Sequence, residues 1–456
     1  MFDSTIFRAY DIRGIYPSQI NESAVYDIAQ AYASIIKPRA VVVGQDVRLS
    51  SHSLCKALTQ SFVDSGVEVI DIGVVPTDVF YFAVKHLSQT DGGIMVSASH
   101  NPREWNGLKI SKKAARPISS ESGLFDIRDL AMKGARVDGA KKGKSSSLDL
   151  IDEYADFVLS FINPKAIKQT TILANGNFGV SAEVFRYIVK RGRLPITIIG
   201  LDDKPDGNFP KGAPNPLLLE NRNETSVLVR EKNVDLGVAW DADGDRCFFV
   251  DEKGNFIEGY FITALLAKEL LAKRPGSTII IDPRLVWASQ EAIINAGGTP
   301  IITRAGAALI TERMEKENAI FAGEMSSHFY FKENANRDNG IIPLLLILEM
   351  MAKQNKTLSE LVKPFTEKYF ISGEINFLVA TPIPKILVEV EKKYTDGQVE
   401  YIDGLSVAYK DWRFNLRPSN TEPLLRLNIE ARNKKLLTEK VEELSAYLKK
   451  FEAKNG

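Results

Sequence analysis

The chain has 456 residues, 44% of them hydrophobic, and its 58 Lys plus Arg are balanced by 58 Asp plus Glu. That length provides for about three or four domains, and the absence of net charge leaves no global field to draw nucleic acid or an anionic membrane, so neither is an expected partner. Cys55 and Cys247 are too few for a disulfide framework or a cysteine metal cluster, and the opening lacks a basic-then-apolar signal segment, so a reduced, cytoplasmic protein is expected.

A weak internal repeat organises the first three quarters of the chain. Its first copy starts at Ala40-Val41-Val42-Val43-Gly44, passes through a helical pattern from Leu54 to Val63 and a strand Val67-Glu68-Val69-Ile70, and ends with Ile94-Met95-Val96 leading into Ser97-Ala98-Ser99-His100-Asn101-Pro102. The second runs from Thr171-Ile172-Leu173-Ala174 through a helix at Ala182 to Val189 and Ile196-Thr197-Ile198-Ile199 to the run Leu236–Trp240 and the loop Asp241-Ala242-Asp243-Gly244-Asp245-Arg246. The third runs from Thr278-Ile279-Ile280-Ile281 through Ala288 to Ala296 and Pro300-Ile301-Ile302 to Ile320-Phe321-Ala322, which precedes Gly323-Glu324-Met325-Ser326-Ser327-His328. Strands alternating with helices predict mostly parallel sheets covered on both faces, with ligands bound beyond the carboxyl ends of the strands, where all three loops fall.

Polar stretches at Lys141 to Ser147, Asp251 to Asn255 and near Ser372-Gly373 read as linkers or edge hairpins. After the last, shorter strands at Leu405 to Tyr409 and Leu424 to Glu430 precede a helix in which Leu437, Val441, Leu444, Leu448 and Phe451 recur at helical spacing. The fold class expected is therefore α/β, with three related mixed, mostly parallel α/β domains (1–146, 147–251, 252–370) and a smaller C-terminal α+β domain (371–456). The most apolar stretch, Ile341 to Leu348, contains Pro343 and ends at Glu349, too short for a bilayer crossing and better read as a buried helix.

Two of the loops carry chemistry on their face. Three carboxylates at 241, 243 and 245 repel one another unless a divalent cation neutralises them. An EF-hand would space its ligands similarly, but Arg246 stands where that loop requires glycine, and the flanks read as strands. Ser99 is a hydroxyl at a strand end beside a histidine, a nucleophile candidate only in company with partners.

Together the two loops resemble the active site of the α-D-phosphohexomutases, in particular the phosphomannomutase/phosphoglucomutase branch. Gly323 to His328 matches that family's sugar-recognition loop, Arg417-Pro418-Ser419-Asn420-Thr421-Glu422-Pro423 its phosphate-binding loop, and Phe7 to Gly14 its opening segment. The resemblance implies an intramolecular phosphotransferase interconverting hexose 1-phosphate and hexose 6-phosphate through a phosphoserine and a bound hexose 1,6-bisphosphate. It implies Mg²⁺ held by Asp241, Asp243, Asp245 and the phosphorylated Ser99. His100, Lys109, Arg13 and His328 are the implied catalytic or proton-handling groups. Tyr10, Arg246, Arg284, Glu324, Ser326, Arg417, Ser419, Asn420 and Thr421 are the implied substrate contacts. Met325, after the glutamate, points to hexose phosphates over aminosugar phosphates. The partners implied are small sugar phosphates, and the assembly a monomer or homodimer; a phosphoglucosamine mutase or a metal-dependent sugar phosphatase are the alternatives. The chain departs from the family pattern at Ala305-Gly306-Ala307-Ala308, where a Thr-Gly-His-Ser turn is usual, at Arg284, where a lysine is common, and at Asn339, where a second aspartate is usual.

Overall fold

A computed structural model describes residues 2–137, 141–419 and 424–452. The first sheet holds β1 (Ile12–Ile15), β2 (Ala40–Gln45), β3 (Glu68–Val74), β4 (Gly92–Val96), β5 (Trp105–Lys112) and β6 (Ser145–Ser147), in the order β1-β5-β4-β2-β3-β6. Strands β4, β2, β3 and β6 run parallel, and β5 and β1 close one edge antiparallel. Strand β2 reads Ala-Val-Val-Val-Gly-Gln with all but its last residue buried, as a strand covered on both faces requires. Helices Glu22–Ile36 and Ser51–Asp64 bury Ile28, Phe62 and Leu58 in a core with Val41, Ile94 and Leu108. Asn21 caps the first of these by accepting from the Ala24 amide at 3.0 Å.

The second sheet holds β7 (Thr170–Asn175), β8 (Ile196–Leu201), β9 (Leu236–Trp240), β10 (Cys247–Val250) and β11 (Phe256–Ile257), in the order β11-β10-β9-β7-β8. In the third region β12 (Thr278–Ile281) lies parallel to β13 (Thr299–Ile302) and β14 (Phe321–Gly323), while β15 (Phe329–Phe331) and β16 (Arg337–Asp338) pair antiparallel. The last sheet is wholly antiparallel, with β17 (Phe370–Leu378), β18 (Gln398–Glu400), β19 (Leu405–Ala408), β20 (Trp412–Pro418) and β21 (Leu424–Ala431) in the order β17-β21-β20-β19-β18. One face of β20 and β21 buries Phe414, Leu416, Leu425, Leu427 and Ile429 against Leu444 and Leu448 of the helix Lys434–Leu448. Three α/β domains and a smaller α+β domain are thus present, as the strand-helix alternation predicts.

The chain forms two compact units. One contains residues up to Ile257 together with Ser326–Ser359, and the other Glu258–Met325 together with residues from Glu360 on. Of the polar stretches, 251–255 is the turn of the β10–β11 hairpin. Ser145–Ser147 is neither linker nor hairpin but an edge strand parallel to β3. Ser372 and Gly373 lie within β17, where the register against β21 slips between Ile371 and Glu374, so a bulge replaces the expected linker. Pro343 does not interrupt its helix: it sits in the first turn of Ile342–Gln354, where no amide partner is required.

Candidate active site

In the first unit, the loops after β4 and β9 bring their side chains together. The Ser99 hydroxyl donates to Asp241 Oδ2 at 2.8 Å and lies 3.1 Å from His100 Nδ1. Asp243 Oδ2 accepts from Thr77 Oγ1 at 2.8 Å, Ser97 Oγ at 3.0 Å and Lys109 Nζ at 2.6 Å. Lys109 Nζ also bonds Asp245 Oδ2, and Arg246 Nε donates to Asp241 Oδ2 at 2.8 Å. All three aspartates are buried, and each offers an oxygen within 4.8 Å of the others. Asp243 Oδ1 and Asp245 Oδ1 are buried with no hydrogen-bond partner among the described residues. Hard carboxylate oxygens, two of them unsatisfied, with a serine hydroxyl on the rim, form a donor set that fits a divalent cation such as Mg²⁺.

Electrostatics separates the roles of the neighbouring groups. Burial opposes the charge on Lys109, but Asp243 and Asp245 outweigh it and hold the ammonium well above the usual lysine range, so Lys109 is a fixed positive charge and a poor base. Burial, reinforced by Arg246 and Arg13, drives His100 well below the usual imidazole range, leaving it neutral beside Ser99. Burial would raise Asp245, yet Lys109 keeps it ionised.

Ser99 adopts a left-handed conformation, with φ +49°. A non-glycine residue there is strained by roughly 1–2 kcal/mol and persists only where its surroundings hold it. Arg48 does so. Its Nη2 donates to the carbonyls of Ser99 and Asn101, both at 2.7 Å, and its Nη1 to those of Pro102 at 2.7 Å and Trp105 at 3.1 Å. Its Nε donates to Asp46 at 3.1 Å, and both side chains are fully buried. Arg13 reinforces the loop through Ala98 O at 3.2 Å and Asn101 Oδ1 at 2.5 Å.

His328 and Ser326 also belong to the first unit, with His328 Nε2 3.6 Å from Asp245 Oδ1 and its Nδ1 3.1 Å from Ser326 Oγ. Asn339 stands just before the helix Ile342–Gln354, accepting at Oδ1 from the Ile341 and Ile342 amides at 2.8 Å and donating to Tyr154 Oη at 3.0 Å. The residue before it, Asp338, lies 4.0 Å from His328 Nε2. Gly340 is required by packing: a Cβ there would lie 2.1 Å from the Gly244 carbonyl. Tyr10 is half-buried in a bend preceding β1.

In the second unit, Arg284 is clamped by Asp282, with contacts of 3.0 and 2.8 Å, and reaches Glu324 Oε1 at 3.3 Å. Glu324 Oε1 also accepts from the Gly306 amide at 3.2 Å, in the turn where the family's histidine is replaced. The polar face of β20 and β21 pairs Arg413 with Glu430, Asn415 with Asn428 and Arg417 with Arg426. Arg417 and Arg426 share Glu374, at 3.4 and 3.5 Å. Burial, and after it the nearby Arg284, push the Arg417 guanidinium down against the opposing pull of Asp403 and Glu374. With its Nε lacking a hydrogen-bond partner among the described residues, Arg417 is equipped to bind an anion. Ser419 donates its amide to Leu424 O at 2.8 Å; Asn420 and Thr421 lie outside the described residues.

Asp338, Asp282, Arg48, Thr77 and Ser97 were not among the expected site residues. Arg48 and Asp46 are separated from the Ser99 loop by about fifty positions, and no local pattern marks the contact.

Models of the phosphoglucomutase/phosphomannomutase α/β/α domains I, II and III match residues 4–134, 152–254 and 258–369, and that of the C-terminal domain matches 374–446. Fold and matches together define an isomerase, a phosphohexomutase. The phosphomannomutase of Escherichia coli (strain K12) is 45% identical over 94% of this chain and 95% of its own. That of Vibrio cholerae is 43% identical over 99% and 100%, respectively. A solved phosphoglucomutase/phosphomannomutase family protein of Burkholderia thailandensis superposes with a TM-score of 0.89 at 28% identity, covering 98% of each chain. Parafusin of Paramecium, 15% identical with a TM-score of 0.78 over 98% of this chain and 99% of its own, shares the fold. The chain belongs to the phosphoglucomutase/phosphomannomutase family.

Proposed function

We propose that this phosphohexomutase acts on mannose phosphates and glucose phosphates, with Ser99 as the phosphoryl carrier. The observation that carries the reading is the Ser99 hydroxyl on the rim of three buried carboxylates, 2.8 Å from Asp241. The substrate class follows the names of the relatives, phosphomannomutases at 43–45% identity, and Met325 after Glu324. Phosphoglucosamine mutase and phosphatase readings have no comparable support.

In the forward half-reaction the bond from phosphorus to Ser99 Oγ breaks as the free hydroxyl oxygen of the substrate bonds to phosphorus. The hydroxyl proton passes to a base for which His328 is our candidate. The resulting hexose 1,6-bisphosphate turns over, and its other phosphate returns to Ser99 by the reverse step. A divalent cation, Mg²⁺ on this reading, would be held by Asp241, Asp243, Asp245 and phospho-Ser99, and would neutralise charge on the transferring oxygens. Lys109, Arg246 and Arg13 contribute fixed positive charge around the carrier, as phosphoryl transfer by positioning and charge stabilisation requires. Arg284, Glu324 and Ser326 would contact the sugar, and Arg417 with Ser419, Asn420 and Thr421 the phosphate that is not reacting. We retain the four-domain division at 146, 251 and 370 on the same footing. Among the described residues no helix is long and apolar enough to cross a membrane.

Intact-mass and peptide analysis should find one phosphate, on Ser99, and Ser99→Ala should remove most turnover without unfolding the protein. Phosphate on Ser97, or a fully active alanine variant, would refute the assignment. A coupled assay comparing mannose 1-phosphate, glucose 1-phosphate and N-acetylglucosamine 1-phosphate tests the substrate class, and preference for the last would overturn it.

A further inference from the structure

We propose that Asn177 is a positioning residue for the aspartate loop: from the turn after β7 it fixes the peptide on which that loop begins, and so keeps the three carboxylates in the arrangement that takes up a divalent cation. The inference rests on the reading that Asp241, Asp243 and Asp245 hold that cation. Asn177 Nδ2 donates to the carbonyl of Trp240 at 2.7 Å. Trp240 is the last residue of β9, and its carbonyl belongs to the peptide that leads into Asp241, the carboxylate that accepts from Ser99 and Arg246. The indole of the same residue is fixed separately, donating from Nε1 to the Gly340 carbonyl at 2.8 Å. Asn177 and Trp240 are 6% and 0% exposed, and a hydrogen bond so buried is stronger than one made in water.

The turn that delivers Asn177 is strained, and its neighbours enforce the strain. Asn177 and Phe178 stand consecutively in the left-handed region, at φ +43° and +62°. Asparagine tolerates that region, but a phenylalanine there is an outlier that persists only where the surroundings determine it. The Asn177 amide donates to Asn175 Oδ1 at 2.9 Å, the Phe178 amide to the Asp202 carbonyl at 2.8 Å, and the Asp206 amide to the Phe178 carbonyl at 2.9 Å. Beyond the turn the chain lies directly on the aspartate loop: a Cβ on Gly179 would overlap the Ala242 carbonyl, and one on Gly244 would overlap Ser181 Oγ. From another element, the Thr77 amide donates to the Asp243 carbonyl at 2.8 Å. Among these supports Asn177 is the one that a side-chain substitution removes without touching a carboxylate, because its partner is a main-chain oxygen. Carboxylates that repel one another favour a spread loop, and a loop that is correctly arranged for only a fraction of the time binds its cation more weakly by that fraction.

The test is isothermal titration calorimetry of Mg²⁺ into the metal-stripped full-length protein. Asn177→Gly permits the left-handed backbone and loses the donor, whereas Asn177→Asp keeps the shape and turns a donor into an acceptor. Each should weaken Mg²⁺ binding about tenfold, the result of a competent arrangement populated about a tenth as often. At saturating Mg²⁺ kcat should return close to the wild-type value, with KM for the sugar phosphate unchanged. Gln30→Met is the control for a purely structural effect: it removes a buried side-chain amide from another main-chain carbonyl, that of Ser61 at 3.0 Å, and should lower Tm without changing Mg²⁺ affinity. Circular dichroism and thermal melts check that the variants are folded, and either Asn177 variant alone decides. Wild-type affinity in a folded Asn177 variant, or the same loss in Gln30→Met, would overturn the proposal and leave the metal reading intact. A wild-type protein that takes up no Mg²⁺, or Asp243→Asn that binds it as tightly as the wild type, would overturn the metal reading and the proposal with it.

Discussion

Arg48→Met should cripple turnover through the Ser99 loop although Arg48 has no part in the chemistry. The guanidinium donates to four carbonyls between Ser99 and Trp105 and is ion-paired with Asp46. A hydrogen bond from a charged group contributes about 1.5–3 kcal/mol, and stranding one partner of a buried ion pair costs about 3–5 kcal/mol. A net loss on the order of 5 kcal/mol exceeds the roughly 1–2 kcal/mol of strain stored at Ser99, so its left-handed conformation should relax. A carrier displaced by about 1 Å lowers kcat about 100-fold while leaving substrate binding largely intact. Arg48→Lys should recover stability, because Asp46 regains a partner, but not rate, because a single ammonium cannot serve four carbonyls. Steady-state kinetics and hydrogen exchange of the amides from Ser97 to Trp105 read both effects. Wild-type kcat in Arg48→Met, or unchanged protection of those amides, would refute the argument.

Burial raises Asp78 to about 7, while Tyr154 Oη and the Val79 amide hydrogen-bond to its carboxyl. Between the ordinary carboxylate pKa and 7 the folded state binds more protons than the unfolded, so stability falls as pH rises through that window, by an amount on the order of 4 kcal/mol. Asp78→Asn should flatten the profile and raise Tm most at pH 8, in melts from pH 5 to 9; a Tm lowered equally at every pH would contradict this. Arg417→Ala should raise KM and depress kcat for 1-phosphate and 6-phosphate substrates alike, measured in both directions; a defect with one substrate only would refute a phosphate contact used in both halves of the cycle. Glu430→Gln leaves Arg413 without its buried counter-charge, at about 3–5 kcal/mol, and should raise KM by loosening the segment that carries Arg284; an unchanged KM with a lowered Tm would reduce Glu430 to a stability residue.

What could be read from the chain and what could not divides along sequence distance. The repeating strand-helix pattern is local, and alternation sufficed for it, while the roles of the loops at Ser99 and Asp241 are what the family resemblance implies. Asp338 escaped because nothing near it in sequence marks it; its partners are His328 and Asp245. Nothing local marks Arg48, because its carbonyl partners lie beyond two helices and two strands. Ser145–Ser147 reads as a flexible stretch by composition, yet as an edge strand it forms backbone bonds with β3 that any side chain permits. Gly373 signals a break, and β17 uses it as a bulge instead.

The clamp between the last sheet and the segment after β12 bears on how the protein is made. Glu430 accepts from the Val286 and Trp287 amides at 2.8 and 3.1 Å and from Tyr260 Oη at 2.6 Å, while Arg413 donates to the carbonyls of Pro283 and Arg284 at 2.9 and 3.1 Å. The segment from Pro283 to Trp287 is therefore held by strands synthesised more than a hundred residues later. On the ribosome, the serine and aspartate loops of the first unit are made well before the strands that support the segment after β12. The support of that segment is among the last features the nascent chain acquires, and a product truncated before β20 would carry Pro283 to Trp287 without the Arg413 and Glu430 contacts that hold its backbone.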